Sequence, residues 1–211
     1  MNEKDEQTAR QYDRLYSSEA MYWGTKPSAT CYEILKRMPP DRALRLLDIG
    51  CGEGRNAILF ARNGYLVDAF DISQEEVKKT AALARSIGLQ IHAFKASVTD
   101  HRLTEAYDIL FSTAVFQCVP PAMRPELFEH FKRFTKAGGL NVFSVFVRKP
   151  FLAPAPDRDA NTHPWRSGEL LSYYHDWRIE WCAEEIFDCT SSGVPHQHAM
   201  SRIVARKETG T

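Results

Sequence analysis

Asp48-Ile49-Gly50-Cys51-Gly52-Glu53-Gly54-Arg55-Asn56 follows an apolar run from Ala43 to Leu47, broken by Arg45, and leads into a helix-forming segment at Ala57. This is a strand, a glycine-rich turn and a helix start. Glycines at alternate positions let the backbone turn sharply and approach a ligand with no Cβ in the way. The helix behind them offers unpaired N–H groups and the positive end of its dipole to whatever fills the turn. With Asp48 at the strand end and a second acid, Asp71, after the next strand, the turn reads as a nucleoside site.

The spacing discriminates between nucleosides. A dinucleotide fingerprint is G-x-G-x-x-G, with the pyrophosphate at the helix N-terminus. Here the third residue after Gly52 is Arg55, and Asp48 would set a carboxylate beside the ligand. That is awkward next to a pyrophosphate and suitable next to an ammonium group. The D-x-G-x-G-x-G turn resembles the first motif of the S-adenosylmethionine-dependent methyltransferases with a Rossmann-like fold. The alternative is a structural turn with no ligand.

The rest of the chain alternates in the same manner. An aromatic helical segment carries Tyr12, Tyr16, Tyr22 and Trp23, and a helix over 28–38 stops at Pro39-Pro40, where proline removes a donor. Beyond the glycine turn a helix ends at Asn63-Gly64, and Leu66 to Phe70 forms a second strand. Ser73 with Glu76 predicts a capping box for a helix closing near Gly88. Strands are predicted over 90–95, 107–112 and 140–147, with a helix through Leu127, Phe128, Phe131 and Phe134 and a turn over 136–139. A Pro/Ala/Asp-rich connection over 149–166 is long for a compact domain. A short helix over 169–174 leads to strands over 178–187 and 200–206. The pattern predicts an α/β fold: a Rossmann-like seven-stranded sheet, mostly parallel, with a C-terminal antiparallel hairpin and helices on both faces. Residues 1–40 are expected to form a helical cap over the cofactor site and 41–211 the methyltransferase domain, one structural domain overall.

Bulk properties exclude more than they select. The 211 residues carry 27 basic and 27 acidic side chains, so the net charge is zero and the basic stripe of a nucleic-acid modifier is missing. No apolar run is long enough for a membrane helix, and the first residues lack a signal-peptide core. The expectation is a cytoplasmic protein, monomer or homodimer, acting on a small-molecule acceptor without nucleic acid or membrane. Five cysteines without a C-x-x-C pair read as reduced thiols.

The segment 46–71, the stretch Tyr107 to Thr113, the run Gly168-Glu169-Leu170-Leu171-Ser172-Tyr173-Tyr174-His175-Asp176-Trp177 and Ile203 to Lys207 together resemble the tellurite-resistance methyltransferases. The resemblance covers roughly 22–207. It implies S-adenosyl-L-methionine as cofactor and an oxyanion of tellurium or selenium as acceptor. Where other members carry a His-Arg pair on the penultimate strand, this chain reads Cys189-Thr190, so no catalytic residue is carried over.

Chemistry then assigns the cofactor contacts. Asp48 receives the methionine ammonium, Gly50 and Gly52 admit the methionyl and ribose groups, and Asp71, followed by Ile72, accepts the ribose hydroxyls. Ser97 and Val98 lie where the family often has an acid facing the adenine amino group. Ser112, with Phe116 as either pocket or core, is expected beneath the transferred methyl. Tyr22 and Trp23 are candidates for an aromatic contact to the sulfonium, worth roughly 0.5–2 kcal/mol; Tyr12 and Tyr16 divide between lid and packing. On the acceptor side, Arg166 offers bidentate donors to an anion, with His163 and Arg148 as helpers. Arg166 paired with Glu169 on the surface is the alternative. His196 and His198 share one strand face with Cys189 across the hairpin; such a trio can hold zinc, yet it lacks a clear fourth ligand, solvent-facing histidines are the alternative, and no metal is assigned. Two further functions stay open: methylation of an organic thiol, amine or hydroxyl, and cofactor binding without turnover.

Overall fold

The computed structural model describes residues 3–15, 17, 21–22, 24–156, 162–190 and 193–210, with Lys4 described by its backbone alone. Trp23 and Tyr16, both expected near the cofactor, lie outside the described residues. Seven strands form one sheet: β1 (Arg45–Ile49), β2 (Leu66–Asp71), β3 (Ile91–Lys95), β4 (Tyr107–Thr113), β5 (Thr135–Val147), β6 (Arg178–Cys189) and β7 (His196–Arg206). Their order is β3-β2-β1-β4-β5-β7-β6, with β1 to β5 parallel and β7 antiparallel between β5 and β6. The sheet is therefore the one expected. The order reverses between β1 and β4, and a crevice opens at the carboxyl ends of strands at such a switch point.

Among the described residues six α-helices surround the sheet: α1 (Glu3–Leu15), α2 (Ala29–Arg37), α3 (Arg55–Arg62), α4 (Gln74–Ser86), α5 (Arg124–Arg133) and α6 (Glu169–Ser172). Alternation along the strands sends apolar residues to two cores. One gathers Leu47, Ile49, Leu110, Phe143, Val145 and the α5 phenylalanines; the other gathers Leu46, Phe111, Val142, Cys31, Ile34 and Phe60. Among the described residues no helix is long and apolar enough to cross a membrane, and all five cysteines are free thiols.

Three local expectations need correction. The turn predicted over 136–139 lies inside β5. Pairing with β4 steps from Tyr107↔Thr135 to Ile109↔Leu140, so the glycines build a bulge that leaves the strand unbroken. Gly138 adopts φ 74° there and donates its N–H to the Lys207 carbonyl at 2.9 Å. The last hairpin is longer than its apolar residues suggested: β7 begins at His196, and Cys189 pairs with it across the hairpin. Beyond the end of β5 those positions have no core to face on either side, so the apolar pattern fades while the pairing continues. The capping box is half formed. The Glu76 N–H donates to Ser73 Oγ at 3.3 Å, but the Ser73 N–H donates to Asp71 Oδ1 at 3.0 Å, and the Glu76 carboxyl bonds Asp71 instead.

Candidate functional site

The glycine turn is built by close approach. Gly50, Gly52 and Gly54 all have positive φ, at 70°, 53° and 86°. A Cβ on Gly50 would stand 2.2 Å from Val115 Cγ2, and one on Gly54 would stand 2.6 Å from Thr80 Oγ1. The turn is fastened to β2: the Gly50 and Cys51 N–H groups donate to the Phe70 carbonyl at 2.8 and 2.9 Å, and the Gly52 N–H donates to Asp71 Oδ2 at 3.0 Å. Asp71 thus shapes the turn as well as lining it.

Asp48 is the outlier of the region. It is 1% exposed, and neither carboxylate oxygen has a hydrogen-bond partner. Burial first, then the neighbouring Asp71 carboxylate, pushes its pKa up to about 7, against the weaker pull of Arg55 and of the nearby Ala57 amide, which falls outside hydrogen-bond geometry. A buried carboxylate left this way is costly and asks for a cation. Next to it, burial and the Asp71 charge push Glu76 up to about 10, so Glu76 is the protonated member of the Asp71–Glu76 pair at neutral pH.

Helix α1 lies against the carboxyl ends of β2 and β3, with Thr8 and Ala9 buried. Asp13 accepts from Ser73 Oγ at 2.7 Å and from the Glu75 N–H at 3.2 Å, capping α4 from outside. Asp5 accepts from Ser97 Oγ and Thr99 Oγ1, each at 2.7 Å. The Ser97 hydroxyl is therefore committed to Asp5, and it is Asp5 that brings a carboxylate to the end of β3. Sequence reasoning missed Asp5 because a helical acid near the start of the chain carries no mark of a partner ninety residues away. Ile72 is partly exposed just past Asp71. Val98 joins the core beside Phe70 and Leu103. The Ser112 hydroxyl is also engaged, donating to the Ile49 carbonyl at 2.9 Å, and Phe116 is fully buried among Phe128, Phe131 and Phe143. Of the two readings of Phe116, core is the one observed.

After β4 the backbone passes through Ala114 at φ 56°, the sole non-glycine with positive φ among the described residues. That conformation costs on the order of 1 kcal/mol or more and clusters at working sites. It throws Val115 against Gly50 and starts the 3-10 turn over Phe116–Cys118. Gln117 Nε2 donates to the Ala114 carbonyl, while Gln117 Oε1 is buried with no hydrogen-bond partner.

The end of the long loop is anchored over this turn. The His163 N–H donates to the Gln117 carbonyl at 2.6 Å, and the Trp165 indole N–H donates to the Phe116 carbonyl at 3.1 Å. Trp165 also bridges to Val147 at the end of β5. One buried cation ties these pieces together. Arg124, 1% exposed, stacks on the Trp165 ring at 4.0 Å, bonds the Val119 and His163 carbonyls at 3.2 and 2.8 Å and pairs with Glu169. Nothing in the sequence separates Arg124 from a solvated helix arginine.

The expected acceptor cations sit differently. Arg148 and Arg166 are exposed, as is Tyr22 at 40%. Glu169 accepts the Arg166 main-chain N–H at 2.9 Å and gives its ion pair to Arg124, so the side-chain pair Arg166–Glu169 does not form. The structure brings His163 to Gln117 and leaves Arg148 and Arg166 on the outside. Cys189, His196 and His198 converge at the hairpin tip. A surface depression of about 540 Å³ between α4 and the amino ends of β1 to β3 lies at the opposite end of the strands from Asp48.

Known proteins share this architecture. Residues 16–192 match the family model described as "Tellurite resistance protein TehB". The chain belongs to the TehB family. A TehB-family relative from Haemophilus influenzae, named "Probable S-adenosyl-L-methionine-dependent methyltransferase TehB", is 28% identical over 135 residues, 64% of this chain and 46% of that protein. "Hemagglutinin 1" of Eikenella corrodens is 30% identical over 135 residues, 64% of this chain and 44% of its own length. The matched segment thus spans somewhat under half the length of these curated relatives. The crystal structure of TehB from Haemophilus influenzae superposes with a TM-score of 0.76 at 21% identity, covering 95% of this chain and 67% of that one.

Proposed function

We propose that this chain binds S-adenosyl-L-methionine and transfers its methyl group to a small acceptor. The observation that carries the reading is Asp48: a fully buried carboxylate, without a hydrogen-bond partner, at the strand end beside a glycine turn that has no room for a Cβ at Gly50 or Gly54. An ammonium group is the partner that such a carboxylate lacks. In this reading Asp48 holds the methionine ammonium while Gly50 and Gly52 admit the ligand against bare backbone. Asp71 takes the ribose hydroxyls with the capacity left over after it accepts the Gly52 and Ser73 N–H groups and the Glu76 carboxyl proton in a hydrogen bond, and Ile72 flanks the sugar. At the adenine end, beside Ser97 and Val98, the amino group is served by Asp5. Tyr22 closes the near side.

When bound, the cofactor supplies an activated methyl on a good leaving group, so the protein's task is positioning and exclusion of water. The acceptor side is then the Ala114–Gln117 turn with His163 above it, and Gln117 Oε1 accepts a hydrogen bond from an acceptor O–H or N–H. Membership of the TehB family favours a tellurium or selenium oxyanion, with Arg166 and Arg148 collecting the anion at the entrance. The orphaned Gln117 oxygen keeps a second acceptor class in play, an organic amine or hydroxyl.

The test has two stages. Calorimetry with S-adenosyl-L-methionine is expected to show one site, lost in Asp48→Asn and weakened in Asp71→Ala by up to about 3 kcal/mol. Unaltered affinity in both variants, or tighter binding of a nicotinamide dinucleotide, overturns the cofactor assignment. Methyl-labelled cofactor is then offered with tellurite, selenite and a panel of thiols, amines and hydroxyls. Binding without transfer to any of them means a sensor and no enzyme.

A further inference from the structure

We propose that the tip of the β6–β7 hairpin is a metal site, in which Cys189, His196 and His198 bind zinc(II). Each residue offers one ligand atom, and the three atoms lie within 4.8 Å of one another. Strand geometry explains the convergence. His196 and His198 are two apart on β7 and so share a face. Cys189 is the cross-strand partner of His196, and Phe187 that of His198, which puts the thiol on that same face.

The orientation of the rings favours a metal over a chance encounter. His196 Nδ1 lies 2.7 Å from the Val194 carbonyl, so Nδ1 carries the proton and Nε2 keeps its lone pair. This is the outer hydrogen bond that orients metal-binding histidines. His198 is held by rings on two strands, 4.7 Å from Phe146 and 5.7 Å from Phe187, with its Nε2 facing His196 Nε2 at 2.9 Å. Without an ion one proton bridges these two nitrogens. With an ion that proton moves to His198 Nδ1 through solvent, the Cys189 thiol releases its proton to water, and two lone pairs and a thiolate point at one centre.

Two imidazoles and one thiolate suit a borderline-soft divalent ion, with zinc preferred among those commonly available. All three residues are partly exposed, so an ion can enter. Three protein ligands leave a fourth tetrahedral position for water or an exogenous ligand, the arrangement of reactive zinc sites more than of closed structural ones. The site lies at the carboxyl edge of the sheet: Ala199 pairs with Val147, the last residue of β5, and the two histidines project beyond it.

The full-length chain, stripped with a chelator and titrated with zinc(II) alone, is expected to bind one equivalent with about micromolar affinity or better and to release a proton. Cobalt(II) in its place is expected to give a thiolate-to-metal charge-transfer band in the near ultraviolet. Cys189→Ser should abolish the band and His198→Ala should weaken binding at least tenfold, with Cys182→Ser as a control that changes neither. Thermal melts of each variant without metal separate loss of the ligand from loss of the fold. Absence of stoichiometric binding by the parent, or equal binding by the parent and the two ligand variants, overturns the proposal.

Discussion

The amino half of the sheet and its carboxyl half solve the same problem by different means. Around β1 and β2 the site is made of backbone: positive-φ glycines, main-chain N–H groups on Asp71, and a carboxylate, Asp48, with nothing to hold. Around β4, β5 and the loop after them the site is made of side chains reaching across the sequence: Arg124 to Glu169, Trp165 to Phe116, with Val115 driven against Gly50 by a strained Ala114. The first half is built from local backbone geometry, and the second from contacts between distant elements that hold the loop in place.

The sharpest way to break the contrast is at Asp48. Its folded pKa is raised from 3.8 to about 7. A raised carboxyl contributes stability below its unfolded pKa, and that contribution is lost as the pH climbs through about 7. Asp48→Asn should therefore stabilise the ligand-free protein at pH 8, raising Tm by roughly 5 °C or more, with little change near pH 4. The same variant should lose S-adenosyl-L-methionine affinity by about a hundredfold or more, since an ammonium then meets a neutral amide. In the parent, affinity should fall by up to about tenfold per pH unit below pH 7 as the carboxylate is protonated. A variant that melts lower at pH 8 and still binds would end the view that Asp48 waits for a cation.

Arg124 tests the other half. Replacing it by Met leaves Glu169 and the Val119 and His163 carbonyls without their partner, so stability should drop by about 2–4 kcal/mol, or on the order of 5–10 °C in Tm. Cofactor affinity should barely move, because no Arg124 contact reaches the glycine turn. If affinity collapses with stability, the two halves are not separable.

That separation also explains what could be read in advance. The placement of Asp48 and Asp71 at strand ends and of Gly50 and Gly52 in a tight turn was legible because each obeys a local rule of spacing, turn chemistry or strand end. So was the mostly parallel sheet with its antiparallel closing hairpin, once strands and helices alternate. The engagement of the Ser97 hydroxyl was not legible because its partner, Asp5, is far away in sequence. Ser112 gives its hydroxyl to Ile49, a main-chain partner that a register reveals and a residue type does not. Arg166 looked the better cation for standing beside His163 and Trp165, yet Arg124, from another element, is the one buried against them. Composition weighs two arginines alike; burial separates them.

A smaller effect is expected at Gln117. Its Oε1 is buried and unbonded while its amide nitrogen is held by Ala114, so the oxygen keeps a fixed direction. Gln117→Leu removes the unpaired acceptor at nearly constant volume and should leave stability within about 1 kcal/mol of the parent. If Gln117 orients the acceptor, kcat should fall about tenfold with the cofactor Kd unchanged. A weakened cofactor Kd at constant kcat would move Gln117 into the cofactor site.

The least effect belongs to Arg166, and its size decides how far the acceptor reading extends toward the surface. The side chain is exposed, and the carboxylate nearest in sequence is already paired with Arg124. An exposed guanidinium acts on an anion mainly by long-range attraction, which is screened within about 8–10 Å at physiological salt. Arg166→Ala should therefore raise KM for an anionic acceptor by about two- to fivefold at low salt, with kcat and cofactor Kd held. Raising the salt to 0.5 M should erase the difference between variant and parent, while an uncharged acceptor should show none at any salt. A fall in kcat that survives high salt would require contact with the reacting anion, and would bring Arg166 inward over the turn at Gln117 when the acceptor binds.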